Sequence, residues 1–185
     1  LTYFQADLNF KKGRFELAIE LAKNQLNKRN KSEISELSKI IGESYFNLNK
    51  YKEALPFLKN YKGKQRKWND LDYYQLGYCY YQIKDYKSAI SEFNKIIEGK
   101  DEVAQNAYYH LAESYLKENQ KPQALNAFRN AYEIKYNDKI TSDAFLNYAK
   151  LSYEIGNAFE PVSNVLIGYL EAYPACEYLV TDRSV

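Results

Sequence analysis

One interval recurs along this chain of 185 residues. A small residue stands at Ala6, Gly42, Gly77, Ala112 and Ala149, spaced by 36, 35, 35 and 37. An alanine stands at Ala18, Ala54, Ala89 and Ala124, spaced by 36, 35 and 35. The surroundings recur too: GRFELAIELA (13–22), NKYKEALPFL (49–58), KDYKSAISEF (84–93) and NQKPQALNAF (119–128) are versions of one segment. ESYF (43–46), YCYY (78–81), ESYL (113–116) and KLSY (150–153) are versions of another. Two registers that agree over four or five copies restrict the chain to an array of like units. Each unit is too small to close a core alone and must bury its apolar face on its neighbours.

The copy over 70–98, DLDYYQLGYCYYQIKDYKSAISEFNKIIE, shows what the unit is. Tyr73, Leu76, Gly77 and Tyr80, then Tyr86, Ala89, Phe93 and Ile96, fall at offsets of three and four. Those offsets draw one apolar face along each of two short helices joined at Lys84-Asp85. Gly77 sits inside the first helix, where glycine costs about 1 kcal/mol against alanine. Its presence there predicts a neighbouring helix packed too close for a side chain. Seven Gly and four Pro are too few for a turn-rich β-sandwich.

Punctuation between the helices fits this pattern. Gly13 and Gly156 stand where a helix end needs a left-handed residue. Asn49, Asp85 and Asn157 are expected N-caps, and Pro122 suits a first turn. Pro161 falls slightly deeper, still among the free N–H groups. Pro56 lies about two turns into its helix and should bend it. The stretch YKGKQRKWND (61–70) is the longest break and reads as an extended turn between units, not a domain boundary.

These residues resemble the tetratricopeptide repeat, whose period is about 34 and whose pattern runs W-x₂-L-G-x₂-Y…A-x₃-F…P. The third copy places Tyr73, Leu76, Gly77, Tyr80, Ala89 and Phe93 on signature positions. The fourth does so with Tyr108, Leu111, Ala112, Tyr115, Ala124, Phe128 and Ala131. The second supplies Ile41, Gly42, Tyr45, Ala54 and Leu58. The first is weaker, with Asn9 where a tyrosine belongs. In the fifth, Phe159, Val162, Leu166, Tyr169 and Pro174 fall on second-helix positions. The resemblance implies an all-α solenoid of about five helical hairpins in a partial right-handed superhelix. The expected hairpins are approximately 1–31, 32–68, 69–101, 102–137 and 138–174, with 175–185 a tail or the start of a further helix. WNDLDYYQLGYCYY, QNAYYHLAESYL, ALNAFRNA and LNYAKLSYEIG are similar to segments of large envelope proteins of this family from Bacteroidota-type bacteria, of the kind called TolA-binding-like. That similarity implies a periplasmic or envelope location, with the cytoplasm as the alternative, and a longer parent chain. No signal peptide opens the chain, and its missing initiator Met is expected of a processed piece.

No enzyme constellation is present: no Gly-rich phosphate loop, HExxH, GxSxG or CxxC. His110 has no companion at metal-ligand spacing. We therefore expect a non-enzyme without cofactor or metal. Cys79 reads as a small buried hydrophobe and Cys176 belongs to the tail. With 26 basic against 24 acidic residues, net charge +2 gives no ground for nucleic acid or an anionic membrane. No apolar run approaches the roughly 20 residues of a membrane span. The basic cluster Lys62, Lys64, Arg66, Lys67 beside Trp68 has two readings. It contacts an anion with the indole stacking, or it is a solvated loop with Trp68 packed at a repeat edge. The nearby Asp70 and Asp72 favour the second.

Twenty tyrosines, against one Trp and no Met, are the unusual entry in the composition. Tyrosine offers a large rigid ring with a polar edge, which suits a binding groove. In the family the first helices line the concave face, and its groove-facing offsets carry over to two stripes. One is Tyr3, Lys39, Tyr74, Tyr109 and Leu146; the other is Phe10, Phe46, Tyr81, Leu116 and Tyr153. Between them lie Asp7, Glu43, Tyr78, Glu113 and Lys150. Phe10 and Phe46 serve either core packing or ligand contact. The carboxylate clamp of chaperone-binding relatives is not expected, because its asparagine position holds Asp7, Glu43, Tyr78, Glu113 or Lys150, and the acidic ones would repel a carboxylate. We expect a non-catalytic module that holds a peptide or partner protein on Tyr74, Tyr78, Tyr81, Tyr109, Phe46 and Tyr153, with Lys39, Glu43, Glu113 and Lys150 setting register. The alternative is a structural spacer of a larger scaffold with no ligand in the groove. An uncapped last hairpin would also favour end-to-end self-association.

Overall fold

Glycine and alanine at the repeating register decide how closely the helices approach. The computed structural model describes residues 2–26, 31–96, 98–156 and 167–168. Among them are nine α-helices and no strand; one isolated antiparallel bridge joins Lys64 and Lys67. The chain divides into two compact units, residues 1–96 and 97–185.

The first unit contains α1 (Thr2–Lys11), α2 (Phe15–Leu26), α3 (Lys31–Asn47), α4 (Tyr51–Asn60), α5 (Asp70–Gln82) and α6 (Tyr86–Phe93). Each helix packs on the next in sequence, and α3 also touches α1 and α5. Ala6, Ala18, Ala54 and Ala89 are fully buried. A Cβ added at Gly77 would lie 2.8 Å from the Phe93 ring, and one at Gly42 would lie 2.8 Å from Leu58. Leu58 and Phe93 occupy one register of the repeat, and Phe128 holds it in the next copy, also fully buried. The missing side chain on one helix thus admits a large one from its partner, as expected for Gly77.

The second unit contains α7 (Glu102–Lys117), α8 (Lys121–Ile134) and α9 (Asp138–Ile155). Its polar hub is Gln105, fully buried. The Gln105 amide donates to the Ala131 carbonyl at 3.1 Å and to Thr141 Oγ1 at 2.9 Å, and its Oε1 accepts from the Asn137 N–H at 2.7 Å. One side chain so ties α7 to α8 and α9 with its polar groups satisfied, which is what makes its burial tolerable.

The turns inside the hairpins repeat in atomic detail. Gly13, Asn49, Lys84 and Asn119 all have positive φ, at 71°, 57°, 68° and 58°. In each, the left-handed residue donates three residues back and the next residue donates five back, as in Lys84 N–H to Tyr81 O and Asp85 N–H to Tyr80 O. This pair of bonds satisfies carbonyls that the helix end leaves free. Asn49 is therefore the left-handed residue of a turn and not an N-cap, a correction to the sequence reading. Lys50 holds the N-cap position of α4 without a side-chain bond. Asp85 does cap α6, accepting from Ser88 N–H, and Gly156 ends α9 with φ 66°. Pro122 lies in the first turn of α8, and α4 continues through Pro56 to Asn60. Asn157, Pro161, Cys176, the tail and, apart from Ile167 and Gly168, the expected second helix of the fifth hairpin, including the end expected to be uncapped, lie outside the described residues.

Candidate functional site

Along α5, side chains four apart share a face and those three apart nearly so, so Tyr74, Tyr78 and Tyr81 form a ladder. Their rings stack at interplanar angles of 27° and 29°, with centroids 5.7 Å apart for Tyr74–Tyr78 and 6.0 Å for Tyr78–Tyr81. Phe46 reaches across from α3 to Tyr78 at 5.7 Å. Two further rings join from the first residues of the following helices. Tyr51 of α4 lies 5.5 Å from Tyr78 and 5.7 Å from Phe46, and Tyr86 of α6 lies 6.0 Å from Tyr81. All six residues are half-buried. Burial, and then Tyr78, raises the Tyr51 phenol above its usual value, and its hydroxyl donates to Asn49 Oδ1 at 2.6 Å.

Four expected residues, Phe46, Tyr74, Tyr78 and Tyr81, therefore form one continuous surface. Tyr51 and Tyr86 belong to it and are missed by the sequence reading. Their signal is present nonetheless, because an aromatic pair five residues apart recurs across the turn. Phe10–Phe15, Phe46–Tyr51 and Tyr81–Tyr86 all meet, at 5.8, 5.7 and 6.0 Å.

Lys39 and Glu43 occupy a different environment from the one expected of polar contacts in an open groove. Glu43 is only 9 % exposed. Lys39 Nζ lies 3.7 Å from Glu43 and 3.2 Å from Asp72, and sits over the Tyr61 ring at 4.6 Å. Asp72 also completes a capping box with Asn69 at the start of α5. Burial holds the Glu43 carboxyl above its usual range, against the pull of Lys39. Burial works to lower the Lys39 ammonium, yet the two carboxylates outweigh it and its pKa is raised. Gln75 bonds Glu43, while its own Oε1 has no hydrogen-bond partner. This network joins α3 to α5 beside the aromatic face.

In the second unit, Tyr109 and Glu113 share one face of α7. Tyr109 packs edge-on against Phe128 at 5.8 Å, and its phenol is pushed up to about 12 by burial, then by Glu113 and Asp143. Glu113 Oε2 lies 3.0 Å from His110 Nδ1, giving the single histidine a structural partner. Lys150 is exposed, and Tyr153 is 75 % exposed on the last turns of α9.

No group of three His, Cys, Asp or Glu side chains suited to a metal occurs among the described residues. Cys79 is buried, and burial alone pushes its thiol up to about 12, which suppresses thiolate chemistry. No described helix is long and apolar enough to cross a membrane. Trp68 packs against the cluster of Ala54, Leu58, Leu76 and Cys79, as the repeat-edge reading has it.

Residues 73–98 match one family profile described as Tetratricopeptide repeat, and residues 106–133 match a second with the same description. No curated protein matches the chain. Among solved structures, the crystal structure of YrrB, "a TPR protein with an unusual peptide-binding site", is 18% identical with a TM-score of 0.72 and covers 94% of this chain and 85% of that one. The crystal structure of MamA is 19% identical with a TM-score of 0.70, over 99% of this chain and 95% of that one. MamA from Desulfovibrio magneticus is 16% identical with a TM-score of 0.66, over 96% of each chain. At these identities the likeness establishes the fold, an all-α helical-repeat solenoid.

Proposed function

We propose, from the premise that this chain is a tetratricopeptide-repeat protein, that it is a non-catalytic interaction module whose aromatic face binds an extended segment of a partner protein. The supporting observation is the continuous surface of Phe46, Tyr51, Tyr74, Tyr78, Tyr81 and Tyr86. Six adjacent rings, locked by each other and half open to water, present large contact area that loses little side-chain entropy on binding. The phenol edges supply hydrogen bonds to a peptide backbone. Lys39 and Glu43 act from beneath this face by fixing α5 against α3. Tyr109, Glu113, Lys150 and Tyr153 offer a second group of contacts on their own unit. That a neighbour of the same fold is described as having a peptide-binding site accords with this reading. An envelope location is part of the same proposal, and fractionation of the native source tests it.

Pull-down from the native source with the unmodified chain and a Tyr74→Ala, Tyr81→Ala bait is the test. Loss of an anchoring ring costs about 2 kcal/mol of binding, so a specific partner should be recovered only by the unmodified bait. Tyr78 is a poor probe, because it touches Phe46, Tyr51, Tyr74 and Tyr81 and its loss disturbs the fold. Recovery of the same partners by both baits would favour the spacer reading.

A further inference from the structure

The loop between α4 and α5 is a built element. Gly63 has φ 81°, and a Cβ there would lie 2.2 Å from the Lys67 carbonyl oxygen, so only glycine lets the chain fold back at that point. Gln65 and Arg66 also take positive φ, at 53° and 63°, and Lys67 N–H closes the turn on Lys64 O at 3.0 Å. Trp68 is fastened beneath, with Nε1 donating to Tyr61 O at 3.0 Å and its ring 5.3 Å from that of Tyr73. Two non-glycine residues in the left-handed region mark a turn held by its own contacts. The loop sets the backbone positions from which its exposed basic side chains extend as an array.

The array lines a shallow, open cleft of about 650 Å³. Lys59, Lys62, Arg66, Lys67 and Lys95 line it with Trp68 and Tyr73, and Glu92 is its only acidic side chain. Glu92 is bound to Lys95 at 2.6 Å, while Lys59, Lys62, Arg66 and Lys67 make no ion pair among the described residues. The acidic neighbours that favour a merely solvated loop in the sequence do not serve it. Asp72 is turned to Asn69 and Lys39, and Asp70 does not line the cleft.

We propose that this cleft binds an acidic peptide segment, several Asp or Glu side chains with an apolar neighbour seated on Trp68. Four cations held in no ion pair among the described residues, with Glu36 the one acidic side chain lining the adjoining hollow beside Lys62 and Arg66, attract carboxylates spread along a strand. Three of them are lysines, point charges from separate positions of the chain, so they do not form the convergent fork that a single phosphate favours. The indole and phenol supply the apolar contact that a fully ionic site lacks. The cleft shares no residue with the aromatic face, so the two sites can be occupied independently.

Trp68 is the only tryptophan and reports on the site directly. The full chain is titrated with an end-capped octapeptide of alternating Glu and Asp around one phenylalanine, its Gln/Asn counterpart, and a single-stranded RNA octamer. The acidic peptide should change Trp68 emission saturably, and the Gln/Asn peptide should not. Raising salt from 50 to 300 mM should weaken binding by about ten-fold. Lys59→Gln, Lys62→Gln, Arg66→Gln and Lys67→Gln should each cost about two- to five-fold, and the four together more than ten-fold, with an unchanged circular dichroism melt. The salt titration needs no variant and stands if the fourfold variant folds poorly. The proposal is overturned by no saturable change in Trp68 emission or in the anisotropy of a labelled peptide. Equal binding of the Gln/Asn peptide, indifference to salt, or tighter binding of the RNA overturns it as well.

Discussion

Replacing Gly77 by alanine sets two known effects against each other. In an exposed helix interior the change stabilises by about 1 kcal/mol, since alanine restricts the unfolded chain and suits the helix. Here the new Cβ would stand 2.8 Å from two carbons of the Phe93 ring. Phe93 is 1 % exposed and packs against Tyr74 at 6.0 Å, so the ring has little room to retreat. Overpacking of this kind costs about 1–3 kcal/mol and outweighs the propensity gain. Gly77→Ala should therefore destabilise by about 1 kcal/mol, and Gly77→Leu by about 3 kcal/mol. Gly42→Ala should be milder, because its nearest contacts are carbons of the aliphatic Leu58 side chain and not a rigid ring, although the Leu58 backbone nitrogen at 3.0 Å still opposes it. Thermal melts followed by circular dichroism read these changes, at about 4–8 °C per kcal/mol for a cooperative unit of this size. A Gly77→Ala variant that melts at or above the parent temperature would refute the packing argument.

Three further outcomes follow from the geometry. Lys39→Met strands two buried carboxylates and should cost about 3 kcal/mol, whereas Glu43→Gln removes a charge that burial opposes and should stay within about 1 kcal/mol of the parent; urea unfolding at pH 7 compares them. Lys39 has a folded pKa raised from 10.5, so its contribution is present at neutral pH and is lost as the pH rises past that value; Glu43, raised from 4.5, contributes in the opposite sense to an ordinary ion-paired carboxylate, its stabilisation being full at low pH and lost as the pH rises through its folded value. Lys84→Gly relieves a left-handed lysine and should stabilise by about 1 kcal/mol in the same urea assay. In a Cys176→Ser background, Cys79 with its thiol near 12 should react with an aromatic disulfide reagent at pH 8 only after denaturant is added.

The fold was legible because its determinants are local and repeated. Gly77 and Gly42 announce close helices by their own cost, and the alanines mark positions where nothing larger fits. Asn49 misled because asparagine suits both an N-cap and a left-handed turn, and only its place in the series with Gly13, Lys84 and Asn119 separates the two. The aromatic face was legible along α5, where helical spacing alone aligns Tyr74, Tyr78 and Tyr81. Tyr51 and Tyr86 escape the sequence reading because they reach that face across a turn, from second helices, whereas the groove-facing offsets cover first helices alone. The pairing of Lys39 with Asp72 spans 33 residues and depends on the contact of α3 with α5, which no local pattern encodes. The basic loop packs Trp68 at a repeat edge as its spacing suggests, while the turning of its sequence neighbour Asp72 toward Asn69 by the capping box is not visible in the sequence.

Site-specific photo-crosslinking in the native source tests the central claim most directly. A benzoyl-bearing residue replaces Tyr81 on the aromatic face or, in a separate chain, Glu53, exposed and two residues along α4 from Tyr51. Two residues of helix turn a side chain by about 200°, so Glu53 points away from the rings. The account predicts a discrete crosslinked partner from Tyr81, abolished by Tyr74→Ala in the same chain, and none from Glu53. Equal crosslinking from both positions, or a partner retained after Tyr74→Ala, would contradict the assignment of this face as the binding surface.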